Sequence, residues 1–264
     1  MIVGFAELPM YPAPEPIHTA AEAWIAHTLQ LLGAQRRPWW GENLHRLFRE
    51  PDLIFAQTCG YPLMTGLQDR VRLVGRPDFD LPYCAGGEHH SLLLVRERES
   101  RCDLAALRGC RGAANSADSN TGMNLLRHAL APWHRDGRFF TDFAWSGSHR
   151  QSLRWLREGR ADLIAVDSVT FAYLQFHAAE ETQGVRVLQL SAPSPTLPYI
   201  TTGDESQARQ IREALNRALE ELPQVAGILH IRQVLPASPA DYEILLRYEK
   251  AAVERGLATL HPGA

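Results

Sequence analysis

Three times in the middle of the chain a short apolar run gives way to a polar turn and then to a helical pattern, and this limits the possible folds most tightly. Gly112-Ala113-Ala114 leads through residues 115–122 into a helix reaching Leu130 and stopped by Pro132. Residues 139–145 lead through Ser146-Gly147-Ser148-His149 into a helix that ends at Gly159. Residues 163–166 lead through Asp167-Ser168-Val169-Thr170 into a third helix running to about Glu180. Successive β-turn-α units favour parallel strands, because each helical crossover returns the chain to the same end of the sheet. The three turns should then gather along one sheet edge.

The rest of the chain fits the same α/β layering. Apolar runs predict strands at 2–6, 53–56, 71–74, 92–95 and 185–190. Ile17, Ala20, Ala21, Trp24, Ile25, Leu29 and Leu32 recur at helical spacing up to Gly33, a usual residue just past a helix end. A second amphipathic helix is expected over 204–222, through Ala208, Ile211, Leu215, Ala218 and Leu219. A third is expected from Ser238-Pro239-Ala240-Asp241 to Gly256, with Ser238 as cap and Pro239 in the first position. No low-complexity linker and no repeat of fixed period divides the chain, so two lobes require the chain to cross between them more than once. The expected division is 1–92 plus 191–264 for lobe one and 93–190 for lobe two. The strands near 92–95 and 187–190 would be the crossing hinge.

Bulk properties exclude some partners. The 264 residues carry a net charge of −3, with 27 basic side chains, nearly all Arg, against 30 acidic ones. No basic stripe of the kind nucleic-acid binding needs is present. No run of some 18 apolar residues exists, which excludes an integral membrane-spanning helix. Residues 1–6 read as a strand entering the fold rather than as a secretory signal, which leaves a cytoplasmic location open. The four cysteines, Cys59, Cys84, Cys102 and Cys110, show neither a CxxC pair nor metal spacing. Cys59 and Cys84 each follow an early strand, so they are either spatial neighbours or two separate thiols.

The polar turns carry the candidate chemistry. Each puts hydroxyl or amide side chains at a helix start, where unpaired backbone N–H groups and the helix dipole favour an anion. The plainer account makes Ser119, Ser148 and Ser168 or Thr170 simple N-caps. A shared sheet edge makes a joint anion site an equal alternative, since ligands of open α/β sheets sit beyond the carboxyl ends of the strands. Gln57-Thr58-Cys59-Gly60-Tyr61-Pro62 follows the second strand as a binding loop or an ordinary turn. Tyr11 lies in the stiff Tyr11-Pro12-Ala13-Pro14 stretch, either holding its ring outward or packed on the surface. His89 and His90 would point to opposite faces of a strand and cannot easily share one ion; without HExxH or Cys–His spacing no metal is expected. His149 and Asp167 invite a triad with Ser146 or Ser148, but Ser146-Gly147-Ser148 is not a G-x-S-x-G elbow.

Five stretches, in order, carry a family resemblance. They are residues 57–63, Asp118-Ser119-Asn120-Thr121-Gly122-Met123-Asn124-Leu125-Leu126-Arg127, Ser146-Gly147-Ser148-His149, residues 159–170, and Pro195-Thr196-Leu197-Pro198. Together they resemble the phosphate/phosphite/phosphonate-binding proteins of ABC importers. The resemblance implies a type II periplasmic-binding-protein fold: two α/β lobes, each a mixed, mostly parallel sheet flanked by helices, with the ligand held between them. Carried over motif by motif, it makes Ser119, Asn120 and Thr121 the oxyanion clamp and Ser146, Ser148 and His149 a second contact group. Asp167 becomes a polar partner at the third turn. Tyr11 and Tyr61, with Gln57 and Thr58, are supplied by the other lobe. It implies a small phosphonate- or phosphate-like oxyanion, an ABC permease as partner, a periplasmic location and no cofactor. The alternative from a different class is a cofactor-free cytosolic lyase on the same fold, resembling chorismate dehydratases, with His149 or Asp167 doing acid–base work.

Overall fold

The computed structural model describes residues 2–11, 14–41 and 43–260. The chain opens with β1 (Ile2–Glu7), α1 (Glu15–Leu31), β2 (Ala34–Arg36), α2 (Leu44–Leu47), β3 (Leu53–Gln57), the single-turn α3 (Gly60–Pro62) and β4 (Arg72–Phe79). The two-residue strands β5 (Cys84–Ala85) and β6 (Glu88–His89) precede β7 (Ser91–Arg96), β8 (Arg111–Ala114) and α4 (Leu125–Leu130). Next come β9 (Asp142–Trp145), α5 (His149–Arg157), β10 (Leu163–Asp167), α6 (Ser168–His177) and β11 (Val185–Leu190). The chain closes with β12 (Ser194–Pro195), β13 (Tyr199–Thr201), α7 (Glu205–Glu221), α8 (Pro223–Leu229), β14 (Ile231–Leu235) and α9 (Pro239–Glu254). Among the described residues no helix is long and apolar enough to cross a membrane.

The chain forms two compact units, residues 1–88 with 195–242, and residues 89–194 with 243–264. It therefore passes between them at three points rather than two. The strands expected as the hinge, near 92–95 and 187–190, instead lie inside the second unit as paired neighbours β7 and β11. The end of the tail also differs from the expected division, which placed all of 191–264 in lobe one. Asn124 Nδ2 donates to Leu245 O at 3.0 Å, Arg127 Nη1 to Ala258 O at 2.9 Å, and Tyr248 Oη to Pro193 O at 2.9 Å. These bonds fix 243–260 to the second unit, a pairing of distant residues that no local pattern announces.

The first unit is built on a six-stranded sheet, β14-β4-β13-β3-β1-β2. β1 runs parallel to β2 and β3, while β13 and β14 return antiparallel. α1 starts behind Pro14, with Pro16 in its first turn, and stops at Gly33, whose φ of 61° suits a residue without Cβ. Its buried face carries Trp24, whose Nε1 donates to Leu215 O of α7 at 3.0 Å and whose ring meets Tyr199 edge-on at 5.7 Å. β2, α8 and β14 had no sequence expectation. β14 has only Ile231 and Val234 buried, too few to make an apolar run.

The second unit holds a five-stranded sheet, β11-β7-β10-β8-β9. β8 runs parallel to both β9 and β10, and β7 antiparallel to β10 and β11. Both sheets are thus mixed, with fewer parallel pairs than expected. Leu92, Leu94, Ala113, Ile164 and Val166 of the sheet pack with Leu153 and Leu156 of α5 and Phe171 and Leu174 of α6. β9 is shorter than the apolar run 139–145, because Phe139 and Phe140 turn into an aromatic cluster with Phe143.

At the sheet edge opposite the polar turns, Asp162 binds two guanidinium groups. Arg96 Nη2 lies 2.6 Å and Arg111 Nη2 2.8 Å from its Oδ1, and the Arg111 backbone N–H donates to Oδ2 at 3.1 Å. Burial alone would push this carboxyl up, but hydrogen bonds from Arg111 and Arg96 outweigh it and hold it well below the usual carboxylate range. A carboxyl depressed by folding contributes stability that is fully present above its unfolded value of about 3.9 and is lost as pH falls through the lower folded value. Asp162→Asn is therefore expected to lower the urea midpoint near neutral pH. Urea titrations across pH should show that deficit shrinking below about pH 4, and a deficit independent of pH would contradict the assignment.

No disulfide links any of the four cysteines, Cys59 and Cys84 included. Burial, reinforced by Asp162, pushes the Cys110 thiol up to about 12.

Candidate functional site

The three polar turns follow β8, β9 and β10, adjacent parallel strands of one unit, and so share its carboxyl edge as the sequence predicts. At the first turn Ser119 has extended backbone, and its Oγ accepts from Gly122 N at 3.0 Å. The chain then makes a π-type turn over Asn120–Asn124 before α4. Gly122 leaves room for a neighbouring side chain: a Cβ there would come within 1.7 Å of Asn115 Oδ1 and would displace it. At the second turn Ser148 Oγ accepts from Gln151 N at 3.1 Å and caps α5. At the third, the cap is neither Ser168 nor Thr170. Asp167 Oδ1 accepts from Val169 N at 2.9 Å and Thr170 N at 3.2 Å, and Ser168 is the first helical residue. Asp outranks Thr as a cap, and its second oxygen stays available for another partner.

That partner is His89. Its Nδ1 lies 3.2 Å from Asp167 Oδ2, with the two side chains 0% and 2% exposed. Burial would push the Asp167 carboxyl up; the His89 imidazole, His149 and the Thr170 N–H outweigh it, leaving it below the usual carboxylate range. His89 is the residue that sequence reasoning missed, having weighed it only as half of a metal pair. His90 does point elsewhere, its Nδ1 2.9 Å from Ser191 O. Among the described residues no group of three His, Cys, Asp or Glu is placed to hold a metal ion.

Thr121 and His149 join the first two turns, Oγ1 lying 3.1 Å from Nε2. Burial pushes the His149 imidazole below its ordinary value, against the pull of the Asp167 charge and the Ala165 carbonyl. Several other expected contacts are engaged inside the unit. Asn120 is buried, its Nδ2 donating to Ser194 Oγ at 3.0 Å and its Oδ1 accepting from Asn124 Nδ2 at 3.3 Å. Ser146 Oγ lies 2.6 Å from Ser152 Oγ and 3.2 Å from Ala114 O, tying the turn to β8. Ser91 Oγ donates to Thr121 O at 2.6 Å and fixes the backbone of the clamp. The hydroxyls of Ser91, Ser191 and Ser194 are a second set that sequence reasoning passed over. Their one signal is the density of Ser just before the Pro195-Thr196-Leu197-Pro198 motif.

In the first unit Tyr11 follows β1, Gln57 ends β3, and Thr58 and Tyr61 follow it, so these four stand at or beyond the carboxyl ends of adjacent parallel strands. Gln57 is buried and its Nε2 donates to Leu197 O at 3.2 Å, while Thr58 N donates to Pro198 O at 3.0 Å. Thr196 Oγ1 donates to Pro77 O at 2.6 Å, and Tyr242 Oη donates to Thr196 O at 2.8 Å. Gln57 and Thr58 therefore hold the Pro195–Pro198 stretch in place. Tyr61 is buried. Tyr11 is half-buried, its ring edge-on to Phe79 at 6.1 Å; Pro12 and Ala13 of its loop lie outside the described residues.

Residues 52–242 match the family model for the phosphonate periplasmic substrate-binding protein of ABC transporters, which is most of the chain. The chain belongs to this family. No curated protein matches it significantly. Among solved structures it is similar to a binding protein component of an ABC phosphonate transporter from Pseudomonas aeruginosa, at TM-score 0.78 and 13% identity over 96% of this chain and 87% of that one. PhnD1 from Prochlorococcus marinus, in complex with methylphosphonate, gives TM-score 0.76 and 14% identity over 94% and 97%. The alkanesulfonate-binding protein SsuA from Xanthomonas axonopodis pv. citri, bound to MOPS, gives 0.65 and 14% over 98% and 94%. The fold is that of the type II periplasmic binding proteins. This phosphonate-binding family is periplasmic and consists of substrate-binding proteins rather than enzymes; nothing favours the lyase alternative.

Proposed function

We propose that the chain binds a small tetrahedral oxyanion of the phosphonate or phosphate class, for delivery to an ABC permease or for sensing. One observation supports this above the rest: three capped turns stand side by side beyond β8, β9 and β10 of a single unit. Their backbone N–H groups and helix dipoles favour negative charge. None of the clustered residues is Lys or Arg, so neutral donors would carry the recognition. Ser119 and Ser148 each use a lone pair to cap and keep a hydroxyl proton to donate. Thr121 and His149 stand between them. Tyr11, Gln57, Thr58 and Tyr61 of the first unit stay in the proposal as contacts on the family resemblance. The buried Asp167 carboxylate acts at one remove, disfavouring an anion that brings no proton or amine unless a neighbouring group of the site takes up a proton.

Calorimetric titration with methylphosphonate, aminoethylphosphonate, phosphate and sulfate tests the proposal, from about pH 5 to about pH 8, where histidine changes charge. At least one phosphorus oxyanion is expected to bind with Kd of about 1 μM or tighter, and sulfate more weakly. Failure of all four to bind would overturn the oxyanion reading.

A further inference from the structure

The Thr121 hydroxyl and the His149 imidazole share one hydrogen bond, and its direction decides what Thr121 offers an anion. A hydroxyl has a single proton. With Nε2 bare, Thr121 donates to the ring and turns only lone pairs toward a ligand. With Nε2 protonated, the ring donates to Thr121 and releases the hydroxyl proton. The other ring nitrogen bears on which holds. Nδ1 is buried and makes no hydrogen bond, and the Ala165 carbonyl is the backbone group that favours a proton on the ring. A carbonyl only accepts, so it favours the proton of a neutral ring on Nδ1 and leaves Nε2 bare. In that state Thr121 is turned the wrong way for an oxyanion.

We propose that oxyanion binding draws one proton onto His149, and that this proton reverses the Thr121–His149 hydrogen bond so that Thr121 donates to the anion. His149 thereby becomes a specificity-determining residue, in a site that rests on the oxyanion function proposed above. His149 opens α5, which packs against β10, β8 and β7. Asp167 at the end of β10 and His89 of β6 are the charged and titratable groups acting on it. Arg111 of β8 and Arg96 of β7 stand at the opposite edge, bound to Asp162. On α5 itself Arg150 pairs with Glu181, Arg154 lies 3.6 Å from Glu158, and Arg157 is the last residue. Burial keeps the free ring neutral near neutral pH. An anion at Thr121 places a second negative charge beside it, joining Asp167, and favours the imidazolium.

The sign follows from linkage. Binding that takes up a proton weakens as pH rises between the free and the bound values of the ring, by up to about tenfold per pH unit. The test is titration of methylphosphonate into the protein, in buffers of different ionisation enthalpy, at a pH above the ligand's own last ionisation. Imidazole nitrogen and phosphorus NMR spectra are recorded on the same samples. Uptake of about one proton per ligand is expected, with the His149 ring passing from the Nδ1–H tautomer to the imidazolium and the phosphorus shift staying that of the full dianion. His149→Gln should bind more weakly and take up none. Binding without uptake, a proton found on the ligand or on His89, or uptake surviving in His149→Gln would each overturn the inference while leaving the oxyanion function standing. Absence of binding by every anion would remove that function itself. The nitrogen spectra of the wild-type protein decide the matter even where the variant fails to fold.

Discussion

Asp167→Ala is expected to destabilise the second unit by about 1–3 kcal/mol through the buried His89 imidazole left without its polar neighbour, with a further ~0.5–2 kcal/mol for the lost α6 cap. The carboxylate is 2% exposed and carries both duties at once: two backbone N–H groups on Oδ1 and the His89 ring near Oδ2. Asp167→Asn separates them, because Asn caps a helix about as well as Asp but brings no charge. It should retain the cap's share and lose that of the carboxylate's contact with His89. Urea unfolding with the double variant His89→Gln/Asp167→Asn completes the cycle, and its coupling energy isolates the pair. A loss below about 1 kcal/mol in Asp167→Ala would mean that water or a rearranged loop replaces the carboxylate. Because folding depresses this carboxyl, its contribution persists from neutral pH down to about 4 and disappears only as pH falls through the folded value.

Thr121→Val should weaken phosphonate binding about ten- to a hundredfold, and should also cost about 1–3 kcal/mol of stability because the buried His149 Nε2 loses its partner. The change removes one hydroxyl of nearly the same shape, and a hydrogen bond to a charged group contributes about 1.5–3 kcal/mol. Ser148 needs a different substitution. Its Oγ accepts from Gln151 N, so Ser148→Ala would cost about 1 kcal/mol of helix capping besides any effect on the ligand. Ser148→Gly keeps the helix start within a few tenths of a kcal/mol. Its binding loss then reports on the ligand contact. Calorimetry and urea titration of both variants give the two readouts side by side. Wild-type affinity in both would remove Thr121 and Ser148 from the site.

Much of the candidate site was legible because its signals are local. A cap is a contact between residues two to four apart, so Ser119, Ser148 and Asp204 announce their helices in the sequence, and Asp204 does so with a full capping box to Gln207. Gly33 and Gly159, at φ of 61° and 74°, end α1 and α5 for equally local reasons. The repeated strand-turn-helix order implied parallel β8, β9 and β10, and with them one shared edge. At Ser238 even the roles within a cap were beyond reach: the Ser238 N–H and hydroxyl both donate to Asp241 Oδ2, at 2.7 and 2.9 Å.

By itself the sequence determined the order of elements, where each helix starts and stops, and the family motifs, since each depends on a few consecutive residues or on apolar periodicity. Tertiary structure decided the rest. It brought His89 to Asp167 across 78 positions of chain, tied Asn124 to Leu245, and paired β14 with β4, whose register breaks between Ile231 and Gln233. It also gave the buried Asn120 and Gln57 distant partners, Ser194 Oγ and Leu197 O. Such contacts depend on which surfaces meet once water has been excluded. A buried polar atom must find a partner wherever the fold places one, and that partner need not be near in the sequence.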